Sequence, residues 1–280
     1  MISISNGKKI QREPYIGIKP GFMMWEDIKR VKINEIQQKE KDTPLDLLEE
    51  LALTAPDSVS LAEALINPLK SHTIAEFKRK SPIDGEMAPN ADAMEVVSQF
   101  LQSGACAISI ATDGSFYGGN IDDLHLTKQI FREVPVIMRE YIVDPYQIVE
   151  ARALGSDAII LHGGLLTAEE VASFARLAHA LEMEVVFESS NEKDLKDYHP
   201  DVDIIMVHHR YNHEDVATPS KILSYLSQLP ADKVRVGGGG LKSYNQRKML
   251  LDAGFDAVII GTSLMKSKNH GDTLHSIIVG

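Results

Sequence analysis

The stretch HTIAEFKRKSPIDG, His72 to Gly85, opens a rhythm that runs to the end of the chain. Ile74, Ala75 and Phe77 are apolar, and Glu76 and Lys78 stand two apart, so as a strand the segment carries both charges on one face. Seven further apolar runs follow: CAISIA (106–111), PVIMRE (135–140), DAIILH (157–162), EVVFES (184–189), DIIMVH (203–208), KVRVGG (233–238) and DAVIIG (256–261). Most are rich in Ile and Val with little alternation, the pattern of parallel strands buried on both faces. Between them lie helical patterns such as DAMEVVSQFLQSG, DPYQIVEARALG, TAEEVASFARLAHALE and SYNQRKMLLDAG, several opened by Asp, Ser or Thr and closed by Gly. Eight strand–helix units at intervals of about 25 residues predict an α/β fold of (β/α)8 TIM-barrel type rather than an open doubly wound sheet.

Residues 1–72 do not share that rhythm. MWEDIKRVKINEIQQKEKDTPLDLLEELALTA has helical period and high charge, which predicts extra N-terminal helices packed on the barrel, broken at Thr43-Pro44. The expected organisation is therefore an N-terminal helical extension over 1–72 and a barrel over 73–280. With 280 residues and 44% hydrophobic content, the chain can bury a large single core.

Lys and Arg number 29 against 40 Asp and Glu, a formal charge of -11 that disfavours nucleic acid and anionic membranes and favours a small-molecule partner. The lone cysteine, Cys106, lies in an apolar run, which rules out an internal disulfide framework and fits a reducing, cytoplasmic setting. MISISNGKKIQREP has no apolar run after its charges, and nothing approaches the ~18 apolar residues of a membrane span, so a soluble, unprocessed protein is expected.

In such barrels the chemistry sits at the C-terminal ends of the strands. That rule collects Glu76 and Lys78 from the first strand, Arg139 and Glu140 from the third, Glu188 from the fifth, and His208 and Arg210 from the sixth. Gly238 to Gly240 follow the seventh, and Gly261-Thr262-Ser263 the eighth. Backbone amides of the last two loops form the usual phosphate-binding place of the fold, so Gly239, Gly240, Gly261, Thr262 and Ser263 are expected to hold a phosphate. A plain flexible turn is the alternative for GGGG taken alone. HHRYNH (208–213) invites a metal, but His208 and His209 point to opposite sides of a strand and no third ligand is evident, so neither metal nor cofactor is expected.

IAEFKRKSP, FYGGNIDDL, DPYQIVEAR and IIGTSLM resemble the indole-3-glycerol phosphate synthases of tryptophan biosynthesis, and the similarity runs from about Trp25 to the C-terminus. The resemblance implies a (β/α)8 barrel with added N-terminal helices and a carboxy-lyase reaction. In it the indole ring closes on 1-(2-carboxyphenylamino)-1-deoxyribulose 5-phosphate with release of carbon dioxide and water. Glu76 and Lys78 match the family's strand-one acid and lysine, Ser81 its next loop, Glu188 its strand-five glutamate and Arg210 its strand-six arginine. Gly240, Gly261 and Thr262 match phosphate-binding positions. Four positions depart: the family's general-acid lysine is Arg139, its strand-six asparagine is His208, and a glutamate-serine pair is Gly238-Gly239.

Each departure has a chemical consequence. A guanidinium with pKa above ~12 stabilises an oxyanion but releases a proton poorly. Lys78 is thus expected to be the acid and Glu188 the base, with Glu76 and Arg139 completing the catalytic set and Ser81, His208 and Arg210 contacting substrate. The two glycines are expected to remove side-chain contacts and enlarge the pocket. Glu76 with Lys78 as an ion pair filling the mouth, and Glu188 as a structural partner of Arg139 or Arg210, are the bland alternatives. At the level of function the alternatives are a related barrel enzyme with another phosphorylated substrate and a non-catalytic descendant binding a phosphorylated ligand.

Overall fold

The computed structural model describes residues 25–195, 198–208 and 218–280. Eight parallel strands close into a barrel: β1 (Thr73–Phe77), β2 (Ala107–Ala111), β3 (Val136–Arg139), β4 (Ala158–His162), β5 (Glu184–Ser189), β6 (Ile204–His208), β7 (Val234–Gly238) and β8 (Ala257–Ile260). Each pairs with its sequence neighbours and β8 pairs with β1, so no edge is left open. The apolar runs of the sequence all become barrel strands, shortened by a residue or so at their ends.

Strand parity sorts the core into two layers. Ile74, Ile137, Ile160, Val186, Met206, Val236 and Ile259 point inward and fill the barrel. Their neighbours, among them Ala75, Phe77, Ile108, Leu161, Phe187 and Val258, face the surrounding helices.

Three helices precede the barrel: α1 (Trp25–Asp42), α2 (Leu45–Leu53) and α3 (Leu61–Ile66). The break between α1 and α2 falls at Thr43-Pro44, where a proline without an amide hydrogen suits the start of a new helix. α3 plugs the barrel floor, because Leu61 and Leu65 are fully buried in the same cluster as the inward-facing strand residues. Burying each stabilises by about 1.5–3 kcal/mol relative to exposure. The Glu184 carboxylate caps the start of α3, accepting from the Leu61 and Ala62 amides at 2.6 and 2.9 Å and from the Ser60 hydroxyl at 2.7 Å. α1 lies at the opposite end, where the strands have their C-termini. Its buried stripe is Ile28, Lys32 and Ile36, four residues apart, with a lysine where an apolar residue is the rule.

Candidate active site

Continuing the inward parity by one step beyond the apolar layer gives the residues that rim the mouth: Glu76, Ser109, Arg139, His162, Glu188, His208, Gly238 and Gly261. Lys78 follows Glu76 on the same side. The rim is therefore set by the same period-two rule that builds the core.

Arg139 organises it. Its Nη1 donates to Glu188 Oε2 at 2.8 Å and its Nη2 to Glu188 Oε1 at 3.3 Å, a two-pronged pairing. Its Nε lies 3.0 Å from Glu76 Oε2, close enough for an ion pair but bent out of hydrogen-bonding alignment. Lys78 Nζ donates to the other oxygen of Glu76. The Tyr117 ring lies beneath both cations, 5.3 Å from Arg139 Cζ and 6.0 Å from Lys78 Nζ.

Two cations thus face two carboxylates in a buried cluster. Burial pushes the Glu188 carboxyl upward, but Arg139 and then the histidines outweigh it, and the group is held far below the usual carboxylate range. Glu76 is lowered in the same way, burial being outweighed by Arg139, then Lys78. His162 Nε2 and His208 Nδ1 each lie 3.7 Å from Glu188 Oε1. Burial takes both imidazoles down to about 4, against the pull of Glu188.

An aromatic wall stands beside this cluster. Tyr141 stacks on Tyr117 at 5.3 Å with their hydroxyls 2.8 Å apart, and His162 packs 4.9 Å from Tyr141. Trp25, at the start of α1, sits 6.2 Å from both Tyr141 and His162. Burial pushes the Tyr117 hydroxyl up to about 12, so it stays protonated.

The sequence candidates divide. Glu76, Lys78, His208, Gly239, Gly240, Gly261, Thr262 and Ser263 line one narrow cleft. Gly239 and Gly240 have φ of 101° and 71°, which favours glycine. The hydroxyls there are engaged, Thr262 donating to Asp84 at 3.2 Å and Ser263 to the Leu241 carbonyl at 2.6 Å. Arg139 and Glu188 lie immediately behind Glu76 and His208. Ser81 is buried but bonds Asp84, its hydroxyl donating at 3.2 Å, and does not line the cleft. Arg210 and the rest of HHRYNH after His208 lie outside the described residues. Among the described residues no three His, Cys, Asp or Glu gather as a metal site.

Two sequence expectations are corrected. Glu140 does not face the mouth: being one residue out of phase with Arg139, it turns outward and meets Lys32 of α1 at 2.9 Å. Nor does Gly238 enlarge the pocket, because a Cβ there would run into Ile259 and come within 3.2 Å of His208 Cδ2; those side chains take the space. His162 is not among the residues expected from the sequence, although its place at the end of DAIILH, the fourth strand, is the signal that points to it.

The chain resembles known proteins over most of its length. A family model described as indole-3-glycerol phosphate synthase matches residues 25–277. The indole-3-glycerol phosphate synthase of Bacteroides thetaiotaomicron is 32% identical over 244 residues, 87% of this chain and 93% of that one. That of Dichelobacter nodosus is 34% identical over 208 residues, covering 74% of this chain and 78% of its relative. Among solved structures, 3-hexulose-6-phosphate synthase from Salmonella typhimurium superposes with a TM-score of 0.60 at 14% identity, over 73% of this chain and 95% of that one, a likeness of fold alone.

Proposed function

The chain belongs to the indole-3-glycerol phosphate synthase family, and from that premise we propose that it closes the indole ring of 1-(2-carboxyphenylamino)-1-deoxyribulose 5-phosphate. One observation carries the reading. Lys78 stands at the wall of a cleft whose far end is built from the glycine-rich turn after β7 and the start of the short helix Thr262–Met265. A sugar phosphate spanning that cleft puts its phosphate on the amides of Gly239, Gly240, Thr262 and Ser263 and its carbonyl near Lys78. Because the Thr262 and Ser263 hydroxyls are already bonded, main-chain amides are the donors left for the anion.

Ring closure follows from these groups. The ring carbon that bears the carboxylate attacks the sugar carbonyl, whose oxygen takes a proton from Lys78. Arg139 supplies positive charge beside the developing alkoxide and keeps its own proton. The C–COO⁻ bond then breaks, its electron pair restores aromaticity, and carbon dioxide leaves. Dehydration of the resulting carbinol gives the indole. Trp25, Tyr117 and Tyr141 pack as an aromatic wall beside Arg139 and His162, outside the lining of the cleft itself.

The test is turnover of the anthranilate-derived substrate by purified protein, followed by indole fluorescence. Appearance of indoleglycerol phosphate is expected; its absence at high enzyme concentration overturns the reading. Crystals soaked in sulfate are expected to show the anion on the four amides, and an empty cup removes the phosphate assignment.

A further inference from the structure

Dehydration requires a base, and the sequence-based choice, Glu188, is poorly placed to be one. Both of its oxygens accept from the Arg139 fork, so the lone pairs that would take a proton are already engaged. His208 stands differently. It lines the substrate cleft, about a fifth of its side chain is exposed, and its Nδ1 is turned toward Glu188 Oε1 at 3.7 Å. The opposite nitrogen, Nε2, therefore lies on the edge of the ring away from the carboxylate. That edge is given room by Gly238, where even a Cβ would stand 3.2 Å from His208 Cδ2.

We infer that His208 is the catalytic base of the dehydration step, with Glu188 as the residue that orients it. An anion facing Nδ1 favours the tautomer protonated there and leaves the Nε2 lone pair free. Arg139 then has a role beyond electrostatic support: by keeping Glu188 ionised it keeps the orienting charge in place. The charged and titratable groups that face His208 among the described residues are Glu188, Arg139, Lys78, Glu76 and His162. Burial, Arg139 and Lys78 lower the imidazole against the pull of Glu188 and Glu76, so it is neutral at pH 7. A bound carboxylate and phosphate add negative charge that raises its basicity during the reaction.

The step balances. Nε2 takes a proton from the methylene carbon between the ring nitrogen and the former carbonyl carbon, the C–H pair becomes the new carbon–carbon double bond, and the carbinol C–O pair leaves with the hydroxyl, which takes a proton from Lys78 as water. Lys78 gives one proton in ring closure and one here, and regains a proton from solvent after each. His208 holds the methylene proton until it is lost to solvent. One proton is consumed overall, matching the carboxylate lost as neutral carbon dioxide.

The inference rests on the reaction proposed above, and its test separates the two. His208→Asn is expected to lower kcat by roughly 100-fold or more with KM nearly unchanged, and to enlarge the rate effect of deuterium at the substrate methylene. A variant that turns over at or above the wild-type rate overturns the assignment. Independently of turnover, nitrogen-15 correlation spectra of the full-length wild-type protein at pH 7 report the tautomer. Protonation at Nδ1 with a free Nε2, lost in Glu188→Gln, supports the dyad; the opposite tautomer overturns it. Absence of product from both proteins refutes the synthase reaction, and the spectra still decide whether His208 is poised as a base.

Discussion

Two buried charge clusters sit back to back at the end of β3, one built on Arg139 and the other on the residue after it, Glu140. The inner cluster sets Arg139 and Lys78 against Glu76 and Glu188, two cations for two carboxylates. The outer one gathers Glu140 at 2.9 Å, Asp113 at 2.7 Å and Glu35 at 2.5 Å around the single ammonium of Lys32. Strand parity sends one into the barrel mouth and the other under α1. Balance then separates their behaviour. In the inner cluster both carboxylates are held down, whereas in the outer one burial and Asp113 outweigh Lys32 and push Glu140 up to about 7. The outer cluster fastens the walls of the site, since Asp113 accepts from the Tyr117 amide at 3.0 Å and Glu140 from the Tyr141 amide at 2.7 Å. One cluster borders the cleft; the other holds the rings that pack against the first.

The largest expected effects come from removing single members of the inner cluster. Lys78→Ala and Glu188→Gln should each cost about 100- to 10,000-fold in kcat with little change in thermal stability, because in either variant Arg139 still pairs Glu76. Near wild-type turnover by both would remove the site assignment. The outer cluster should answer in the opposite way. Lys32→Met strips Asp113 and Glu140 of the cation that bridges them, and breaking a buried pair in this fashion costs about 3–5 kcal/mol. A urea midpoint unchanged from wild type would show that α1 is not pinned by Lys32.

How far the sequence revealed this follows the same division. The barrel was legible because eight Val- and Ile-rich runs announce themselves through local composition, and the rim residues follow from carrying strand parity one step past the core. Glu140 shows the limit of that measure, since a strand end without its phase does not tell which side the residue faces. Lys32 carried no signal: in KRVKINE it reads as one more charge on a solvated helix, and only α1 docking against Asp113 and Glu140 turns it inward. Arg139 is reached by the strand-end rule and stands out as a departure, an arginine where the family has a lysine. Its actual commitment to Glu188 and Glu76 depends on side chains from three strands meeting in space, which spacing along the chain does not encode.

A smaller effect is expected from Arg139→Lys. A lysine there reaches one carboxylate at a time, loosens the grip on Glu188, and provides an ammonium able to donate at the carbonyl. For a weakened synthase the rate should rise by about tenfold, roughly 1.4 kcal/mol. If the guanidinium instead contributes chiefly to substrate binding, KM should climb without a gain in kcat, so steady-state kinetics of the two proteins on the anthranilate-derived substrate decide between them.

The smallest expected effect is in the outer cluster, in the pH dependence of Glu140. Its carboxyl sits at about 7 in the folded chain against an ordinary value of 4.5, with burial as the leading cause and Asp113 reinforcing it. A carboxyl raised in this way holds its proton more tightly folded than unfolded. Its contribution to stability is full below about pH 4.5 and is lost as pH rises through about 7. Glu140→Gln keeps an oxygen for the Tyr141 amide but has no proton to lose, so at pH 7 its stability should lie within about 1 kcal/mol of wild type. The difference appears in the slope: between pH 5 and pH 8, the fall in urea midpoint should be smaller in Glu140→Gln than in wild type. Parallel profiles for the two proteins would mean that Glu140 is ionised throughout, and that Lys32 neutralises the outer cluster as completely as Arg139 and Lys78 neutralise the inner one.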